Sequence, residues 1–263
     1  MALLALAVAA ECRVEAVHVD HQLRPQSASE ADVVRDAAGR FGATFRAIRV
    51  QVGEGPNLEA RARTARYAAL PSDVLTGHTA DDQAETVLIN LLRGAGTSGV
   101  AGMRPDARRP LLRLRRADTE ALCVALGLQP VHDPSNDDPR HLRNRVRHEL
   151  LPHLAELAQR DLVPILARQA ALARDEADLL DQLAVAIDPT DAKALAAAPV
   201  ALARRAVRGW LTREHPPDAA TVERVLEVAR GLVIATDVGA GVRVERHHQR
   251  LRVVGLREST PSE

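Results

Sequence analysis

The first 92 residues alternate between segments with the spacing of strands and segments with the spacing of helices. Runs that are rich in valine or that alternate apolar with polar residues predict strands, and apolar residues three and four apart predict helices. The predicted strands are RVEAVHVD at 13–20, TFRAIRV at 44–50 and DVLTGH at 73–78. The helices that follow them are EADVVRDAAGRF at 30–41, LEARARTARYAAL at 58–70 and ADDQAETVLINLL at 80–92. This alternation predicts a Rossmann-like α/β domain with a parallel sheet covered on both faces.

The character of the sequence changes after Pro152. Alanine- and leucine-rich helical sequence continues from there to about Arg230. VGAGVRVERHHQRLRVVG then predicts a β-hairpin with its turn at HHQR. The sequence therefore predicts an α/β domain over residues 1–157 and a smaller, mainly helical domain over 158–263 that ends in a hairpin.

Composition and cysteine usage exclude several classes of protein. The formal net charge of +0 excludes a uniformly basic protein that coats nucleic acid by charge alone. Cys12 and Cys123 form neither a disulfide framework nor a CxxC motif, which favours a reducing compartment. The apolar start MALLALAVAA has no basic leader, and Glu11 and Arg13 interrupt it too soon for a membrane span. We expect a cytoplasmic protein with no membrane partner; a homodimer is an open alternative to a monomer.

The segment TGHTADDQAET places a histidine and a group of carboxylates where the third predicted strand meets its helix. Thr79 and Asp82 fit a capping box, and acidic residues in a first turn favour the positive end of the helix dipole. That interpretation explains Asp81 and Asp82, but it does not explain His78 or Glu85. Carboxylates three or four positions apart repel by roughly 0.2–0.5 kcal/mol unless a cation offsets them. The spacing alone leaves a structural helix start and a functional site as equal alternatives.

Polar residues also stand where a phosphate group would bind. In parallel sheets ligands bind beyond the carboxyl ends of strands, which is where Asp20 and His21 lie. Arg93, Gly94 and Gly96 belong to the glycine-rich stretch RGAGTSG that follows the third helix. A carboxylate pair followed by such a loop resembles a site for a polyphosphate and its Mg²⁺, which prefers oxygen ligands. The alternatives are a solvated strand end and a flexible connector.

Longer motifs carry a family resemblance. In order along the chain they are HVDHQLRPQS, NLEARARTARY, TGHTADDQAETVLINLLRGAGTSGVAGM, RPLL and DPSNDDPRHLRNRVRHELLP. Together they resemble the tRNA(Ile)-lysidine synthases, a family of PP-loop ATP pyrophosphatases. The resemblance is close from Met1 to about Pro152 and loose beyond, and TGHxxDDQxETxLxNLxRGxG together with the DPSN…RN…R element makes it specific. It implies a catalytic PP-loop domain over 1–157 and a tRNA-binding domain over 158–263.

The resemblance implies an ATP-dependent ligation in two steps. ATP adenylates the C2 carbonyl oxygen of the wobble cytidine of tRNA(Ile), and the side-chain amine of L-lysine then attacks C2 and displaces AMP. Asp82 is the first catalytic candidate, with Asp81 and His78 beside it. Asp81 and Asp82 are the candidates for holding Mg²⁺, and Asp82 and Glu85 those for binding lysine. The candidates for contacting ATP and its phosphates are Asp20, His21, Arg93, Gly94 and Gly96.

A basic patch lies in the last motif. It consists of Arg143, Asn144, Arg145 and Arg147, and it is extended by Arg108, Arg109, Arg113, Arg115 and Arg116. The first candidates for tRNA binding are Arg113, Arg143, Asn144 and Arg147. Arginine contacts with phosphates provide affinity that depends on salt and not on base sequence. The alternative is an exposed basic face that pairs with Glu149.

The sequence departs from the family in one respect, since it contains no SGGxDS phosphate loop. No Walker motif replaces it, because Lys193 is the only lysine and does not follow a glycine. We expect either a chain that starts downstream of the loop or a tRNA-binding remnant that has lost ATP binding. In both cases this chain alone is expected to show no ATP–pyrophosphate exchange.

Rival functions are a PP-loop tRNA thiolase and a non-catalytic RNA-binding protein. A thiolase generally requires paired cysteines, which Cys12 and Cys123 do not supply. A redox Rossmann enzyme is disfavoured because no GxGxxG follows a predicted strand. Lysine dependence separates the ligase from both remaining rivals.

Overall fold

The computed structural model describes residues 1–21, 27–53, 55, 58–131, 134–213 and 216–255. Contacts between residues divide the chain into two units, Met1–Leu172 and Ala173–Glu263. The division falls 15 residues after the predicted boundary at 157 and lies inside a long helix. None of the helices in the described ranges is both long and apolar enough to span a bilayer.

A parallel pair of strands lies in the first unit. Strand β1 (Glu15–Asp20) pairs with β2 (Thr44–Arg49) in a register that places Asp20 opposite Arg49. Helix α2 (Ser27–Arg40) connects them, as a parallel pair requires a crossover. The first two predicted strands and the α/β class are thereby confirmed.

The third predicted strand is wrong. Residues 73–78 pair with no strand within the described residues. Among their backbone hydrogen bonds, the Val74 N–H donates to the Pro71 carbonyl oxygen at 3.1 Å and the Thr76 N–H donates to the Arg108 carbonyl oxygen at 2.7 Å, and neither acceptor belongs to a strand. A strand exists only where a neighbouring strand exchanges hydrogen bonds with it, and an apolar pattern cannot report that neighbour. The segment nevertheless leads directly into a helix, so His78 still stands at the start of that helix.

The remaining elements of the first unit are helical. They are α1 (Ala2–Ala9), α3 (Leu58–Ala69), α4 (Ala80–Leu92), α5 (Thr97–Val100), α6 (Arg116–Ala125), a 3₁₀ turn (Pro134–Asp137), α7 (Leu142–Arg145), a π-helical turn (Val146–Leu150), α8 (Leu151–Ala158) and the start of α9 (Val163–Ala184). Helix α4 is central to the packing. Leu88 and Ile89 contact the fully buried Val146, and Ala84 packs against Val163.

Two amide side chains attach the glycine-rich loop to α4. The Nε2 of Gln83 donates to the Met103 carbonyl oxygen at 3.1 Å, and the Met103 N–H donates to Gln83 Oε1 at 2.8 Å. Further along the helix, Asn90 Nδ2 donates to the Gly99 carbonyl oxygen at 2.7 Å. The loop is therefore a packed connector along α4.

The second unit combines helices with an antiparallel sheet. After the end of α9 it contains α10 (Ala192–Ala197), α11 (Val200–Leu211), α12 (Ala219–Arg230), β3 (Ala235–Gly239), β4 (Val242–His247) and β5 (Arg250–Gly255). The predicted hairpin is confirmed as β4 and β5, and β3 adds a third strand to it. Leu195, Leu226, Val244 and Leu251 form its buried core.

Replacement of Gly102 by alanine is expected to destabilise the first unit by about 1–3 kcal/mol. Gly102 has a φ of +60°, and an added Cβ would lie 2.8 Å from Gln83 Oε1. The matched control is Gly209→Ala in α11, where a Cβ would meet nothing within 4 Å. This control is expected to stabilise by up to about 1 kcal/mol because alanine favours helix. Urea denaturation measures the free energy of unfolding of both variants. An equal change in the two would contradict the close contact between Gly102 and Gln83.

Candidate active site

The capping box at the start of α4 is confirmed. The Thr79 N–H and hydroxyl both donate to Asp82 Oδ2, at 2.8 and 3.0 Å. One carboxylate oxygen of Asp82 thus stabilises the first turn of the helix. Its other oxygen, Oδ1, accepts from arginines of other elements.

Two arginines converge on the face that Asp82 shares with Glu85. Arg147, from the π-helical turn, donates through Nε to Glu85 Oε1 at 2.7 Å and through Nη2 to Oε2 at 3.0 Å. Arg116, the first residue of α6, donates to Glu85 Oε1 at 3.0 Å. Both guanidinium groups also reach Asp82 Oδ1, at 3.2 and 3.5 Å. We call Asp82, Glu85, Arg116 and Arg147 the carboxylate–arginine cluster.

This cluster contains a fully buried charged residue, which is rare in proteins. Glu85 is 0% exposed, and a buried carboxylate is tolerated only when it is paired and hydrogen-bonded. Burial alone would lower the pKa of Arg116, but the hydrogen bond and charge of Glu85 raise that pKa overall. The cation that offsets the acidic residues of α4 is therefore supplied by the protein itself.

Asp81 faces a different partner. Arg115 donates to its two oxygens through Nε and Nη2 at 3.2 and 3.1 Å, and the Arg116 N–H adds a bond of 2.7 Å. Burial would raise the pKa of the Asp81 carboxyl, but these hydrogen bonds lower it overall. Arg115 also pairs with Asp161. Asp81 thus joins the first turn of α4 to that of α6.

The His78 imidazole lies beside the carboxylate–arginine cluster. Its Nδ1 is 2.8 Å from the Thr76 hydroxyl oxygen. Burial lowers the pKa of His78, and the charge of Asp82 opposes this effect without reversing it. Positive charges that lower the pKa further come from Arg63, Arg109 and Arg143. His78 is therefore a neutral imidazole at pH 7.

The predicted tRNA-binding residues separate into different environments. Arg143 donates to the Thr86 hydroxyl at 3.2 Å, next to the cluster, whereas Arg113 is exposed. Asn144 is buried and donates to the Asp138 carbonyl oxygen at 3.0 Å, which fixes the turn before α7. Arg147 points into the cluster.

The predicted phosphate-binding residues are also divided. Asp82 lies in the first turn of α4, whereas Arg93 follows its last residue. At 1.5 Å per residue these positions are about 16 Å apart along the helix. Gly94 and Gly96 lie beyond Arg93 in the packed loop. The structure does not bring these three residues to the acidic end of α4.

The end of β1 offers a different position for a nucleotide. Two imidazole nitrogens, His18 Nε2 and His21 Nδ1, are buried and have no hydrogen-bond partner within the described ranges. Burial lowers the pKa of His21, and the charge of Arg66 adds to that effect, while Asp20 opposes it. Buried imidazole nitrogens without a partner fit the donors and acceptors of a ribose or base.

A protein-bound metal does not fit the acidic residues of α4. Within the part of the chain that is described, no group of three or more His, Cys, Asp or Glu side chains could hold a metal ion. Arginines engage the carboxylates of both Asp81 and Asp82. We therefore assign no step of a reaction to a metal ion bound by Asp81 and Asp82.

The sequence did not predict that Arg115 and Arg116 pair with the carboxylates of α4. It predicted only that they extend a basic surface. A signal for the pairing was present. Glu85 falls on the apolar side of α4, next to Ala84 and Leu88, where an unpaired carboxylate would be costly. A buried partner cation was therefore to be expected.

Comparisons with known proteins agree with this architecture. Residues 1–154 match the ATP_bind_3 family, described as a PP-loop domain. The tRNA(Ile)-lysidine synthase of Nocardia farcinica is 42% identical over 98% of this chain and 86% of its own length. That of Rhodococcus erythropolis is 40% identical over 98% and 83%, and that of Mycolicibacterium paratuberculosis is 46% identical over 78% and 69%.

A solved structure supports the fold. The U34-tRNA thiolase NcsA from Methanococcus maripaludis, with its [4Fe-4S] cluster, superposes with a TM-score of 0.53 at 15% identity. The superposition covers 66% of this chain and 68% of that one. Identity at this level concerns the fold alone. The relatives and the PP-loop match together show that this chain belongs to the tRNA(Ile)-lysidine synthase family, a family of ATP-binding ligases that modify tRNA.

Proposed function

We propose that this chain, when an SGGxDS phosphate loop precedes it, ligates L-lysine to C2 of the wobble cytidine of tRNA(Ile), at the expense of ATP, which becomes AMP and pyrophosphate. The observation that carries the proposal is the pair Asp82 and Glu85 on one face of α4, beside a neutral His78. Their oxygens already accept N–H groups from cationic side chains. A lysine ammonium presents the same kind of donor.

The proposed reaction places two demands on this site. ATP transfers its adenylyl group to the cytidine O2, which makes that oxygen a leaving group. The lysine amine must then lose a proton as its nitrogen forms the bond to C2 and the bond from C2 to oxygen breaks. Asp82 would hold the ammonium in place, and the neutral His78 imidazole is suited to accept its proton. Mg²⁺ would enter bound to the phosphates of ATP.

The tRNA and nucleotide contacts follow from where the cationic residues lie. Arg143 stands beside the cluster and Arg113 is exposed, so both are suited to phosphates of the anticodon loop. His21 and Asp20, at the end of β1, are suited to the nucleoside of ATP. Arg93, Gly94 and Gly96 are left out of the proposed site because they lie at the other end of α4. We place the reaction in the cytoplasm, where tRNA is available.

Incorporation of radiolabelled lysine into unmodified tRNA(Ile) tests the proposal. The same tRNA with uridine in place of the wobble cytidine is the control substrate. We expect incorporation with cytidine only, and only by protein in which an upstream strand with an SGGxDS loop precedes this chain. The proposed reaction would be contradicted if the protein with the added SGGxDS loop binds tRNA(Ile) but transfers no lysine to it.

A second candidate, a PP-loop tRNA thiolase, draws support only from a shared fold with a thiolase structure. Cys12 is exposed and Cys123 is buried, so they do not form a reactive pair. Sulfur incorporation that is independent of lysine would favour this candidate over the ligase.

A further inference from the structure

We propose that Arg147 is a displaceable positioning residue, which holds Glu85 and Asp82 until the amine of the substrate takes its place. This inference rests on the proposed function, since it assumes that lysine binds to these carboxylates. It differs from the expectation that Arg147 contacts tRNA.

The carboxylates of the cluster are engaged in this structure. Arg147 binds both oxygens of Glu85, and Arg116 shares Oε1. Asp82 Oδ2 is used by the capping box and Oδ1 by the same two arginines. An incoming ammonium therefore reaches these carboxylates only if a guanidinium group is exchanged for it.

Arg147 is the arginine that can leave. The backbone of Arg116 is fixed at the start of α6, because its N–H donates to Asp81 at 2.7 Å, so a backbone shift does not withdraw its guanidinium group. Arg147 contacts the cluster through its side chain alone. Its own side chain is 22% exposed, so a path to solvent exists.

The backbone beneath Arg147 provides a way to withdraw it. It lies in the π-helical turn Val146–Leu150, which interrupts an otherwise α-helical run from α7 to α8. π-Helical turns are rare and occur frequently at functional sites. Since successive residues of an α-helix are about 100° apart, moving the turn by one residue would swing Arg147 away from Glu85.

Exchange of one cation for another preserves the charge balance of the cluster. Removal of Arg147 without replacement would weaken the pairing of a fully buried carboxylate, which is unfavourable. A ligand amine restores the pairing, whereas a ligand without a cationic end cannot. Arg147 therefore makes the site selective for a cationic side chain.

Calorimetric titration with L-lysine tests the inference on the whole chain. We expect Arg147→Ala to bind lysine at least about tenfold more tightly than the unchanged protein, and to show no binding of norleucine, which lacks the amine. The matched control is Arg145→Ala, two positions away. Arg145 pairs with Glu149 on the exposed surface, so its removal is expected to leave lysine affinity unchanged.

A conservative variant separates exchange from a merely structural role. Arg147→Lys keeps the charge but loses the two-pronged contact with Glu85, so lysine affinity is expected to fall between those of the unchanged protein and Arg147→Ala. Urea denaturation of each variant establishes that it is folded. Affinity that is unchanged or weaker in both Arg147 variants would overturn the inference.

The two proposals fail in distinguishable ways. If the SGGxDS-extended protein transfers lysine to tRNA(Ile) but neither variant gains affinity, the exchange is wrong and the proposed function stands. If Arg147→Ala gains affinity for lysine but the extended protein transfers none, the exchange stands and the proposed reaction is wrong. If lysine is neither bound by Arg147→Ala nor transferred by the extended protein, both are overturned.

Discussion

Replacement of Glu85 by glutamine is expected to lower the free energy of unfolding of the first unit by about 3–5 kcal/mol. Glu85 is fully buried, and its two oxygens pair with Arg116 and Arg147. Glutamine has nearly the same shape, so the change removes the charge and leaves the volume in place. Two partly buried guanidinium groups then lose one of the two carboxylates that they share, and Asp82 alone remains. Urea denaturation followed by far-ultraviolet circular dichroism measures the shift.

The matched control for this prediction is Glu149→Gln. Glu149 also pairs with an arginine four positions away, Arg145, but both side chains are more than half exposed at 56% and 59%. Exposed ion pairs contribute at most about 1 kcal/mol, so the control is expected to unfold close to the unchanged protein. Equal shifts for the two variants would show that burial of Glu85 does not govern its contribution.

Asp82→Asn is expected to reduce lysine transfer by about 100-fold or more in a protein that carries the phosphate loop, because an amide neither holds an ammonium by charge nor assists its deprotonation. The expected loss of stability is only about 1 kcal/mol, from a weaker capping box with Thr79. Transfer rate at saturating lysine and tRNA measures the first effect, and urea denaturation measures the second.

Asp118→Asn isolates the contribution of the capping box. Asp118 is the third residue of α6, as Asp82 is of α4, and it accepts the backbone N–H of Arg115 at 2.9 Å. It is exposed and lies outside the carboxylate–arginine cluster. We expect a similar small loss of stability and a transfer rate within about twofold of the unchanged protein. A normal rate in Asp82→Asn would remove Asp82 from the proposed site.

The sequence predicted the elements whose signal is local. Helix α4 and its capping box were predicted because apolar spacing and the positions of Thr79 and Asp82 lie within one segment. Strands β1 and β2 were predicted from their patterns in the same way. Residues 73–78 have a similar apolar pattern and form no strand, because strand pairing depends on a neighbour that the segment does not encode.

The candidate site was predictable only in part for the same reason. The sequence placed Asp82, Glu85 and His78 together because they are close along the chain. It could not show that Arg116 and Arg147, 31 and 62 residues from Glu85, would pair with it. In the sequence, an arginine that binds RNA cannot be distinguished from one that pairs with a buried carboxylate. Tertiary packing determines which partner an arginine has, and here it directs Arg147 towards Glu85.

The attachment of the glycine-rich loop to α4 limits how substrates can reach the site. Gln83 and Asn90 hold Met103 and Gly99 from the same helix that carries the catalytic candidates. A segment tied at two points to the scaffold does not swing over a bound nucleotide as a closing lid does. Any closure that shields the reaction from water must therefore come from another part of the protein.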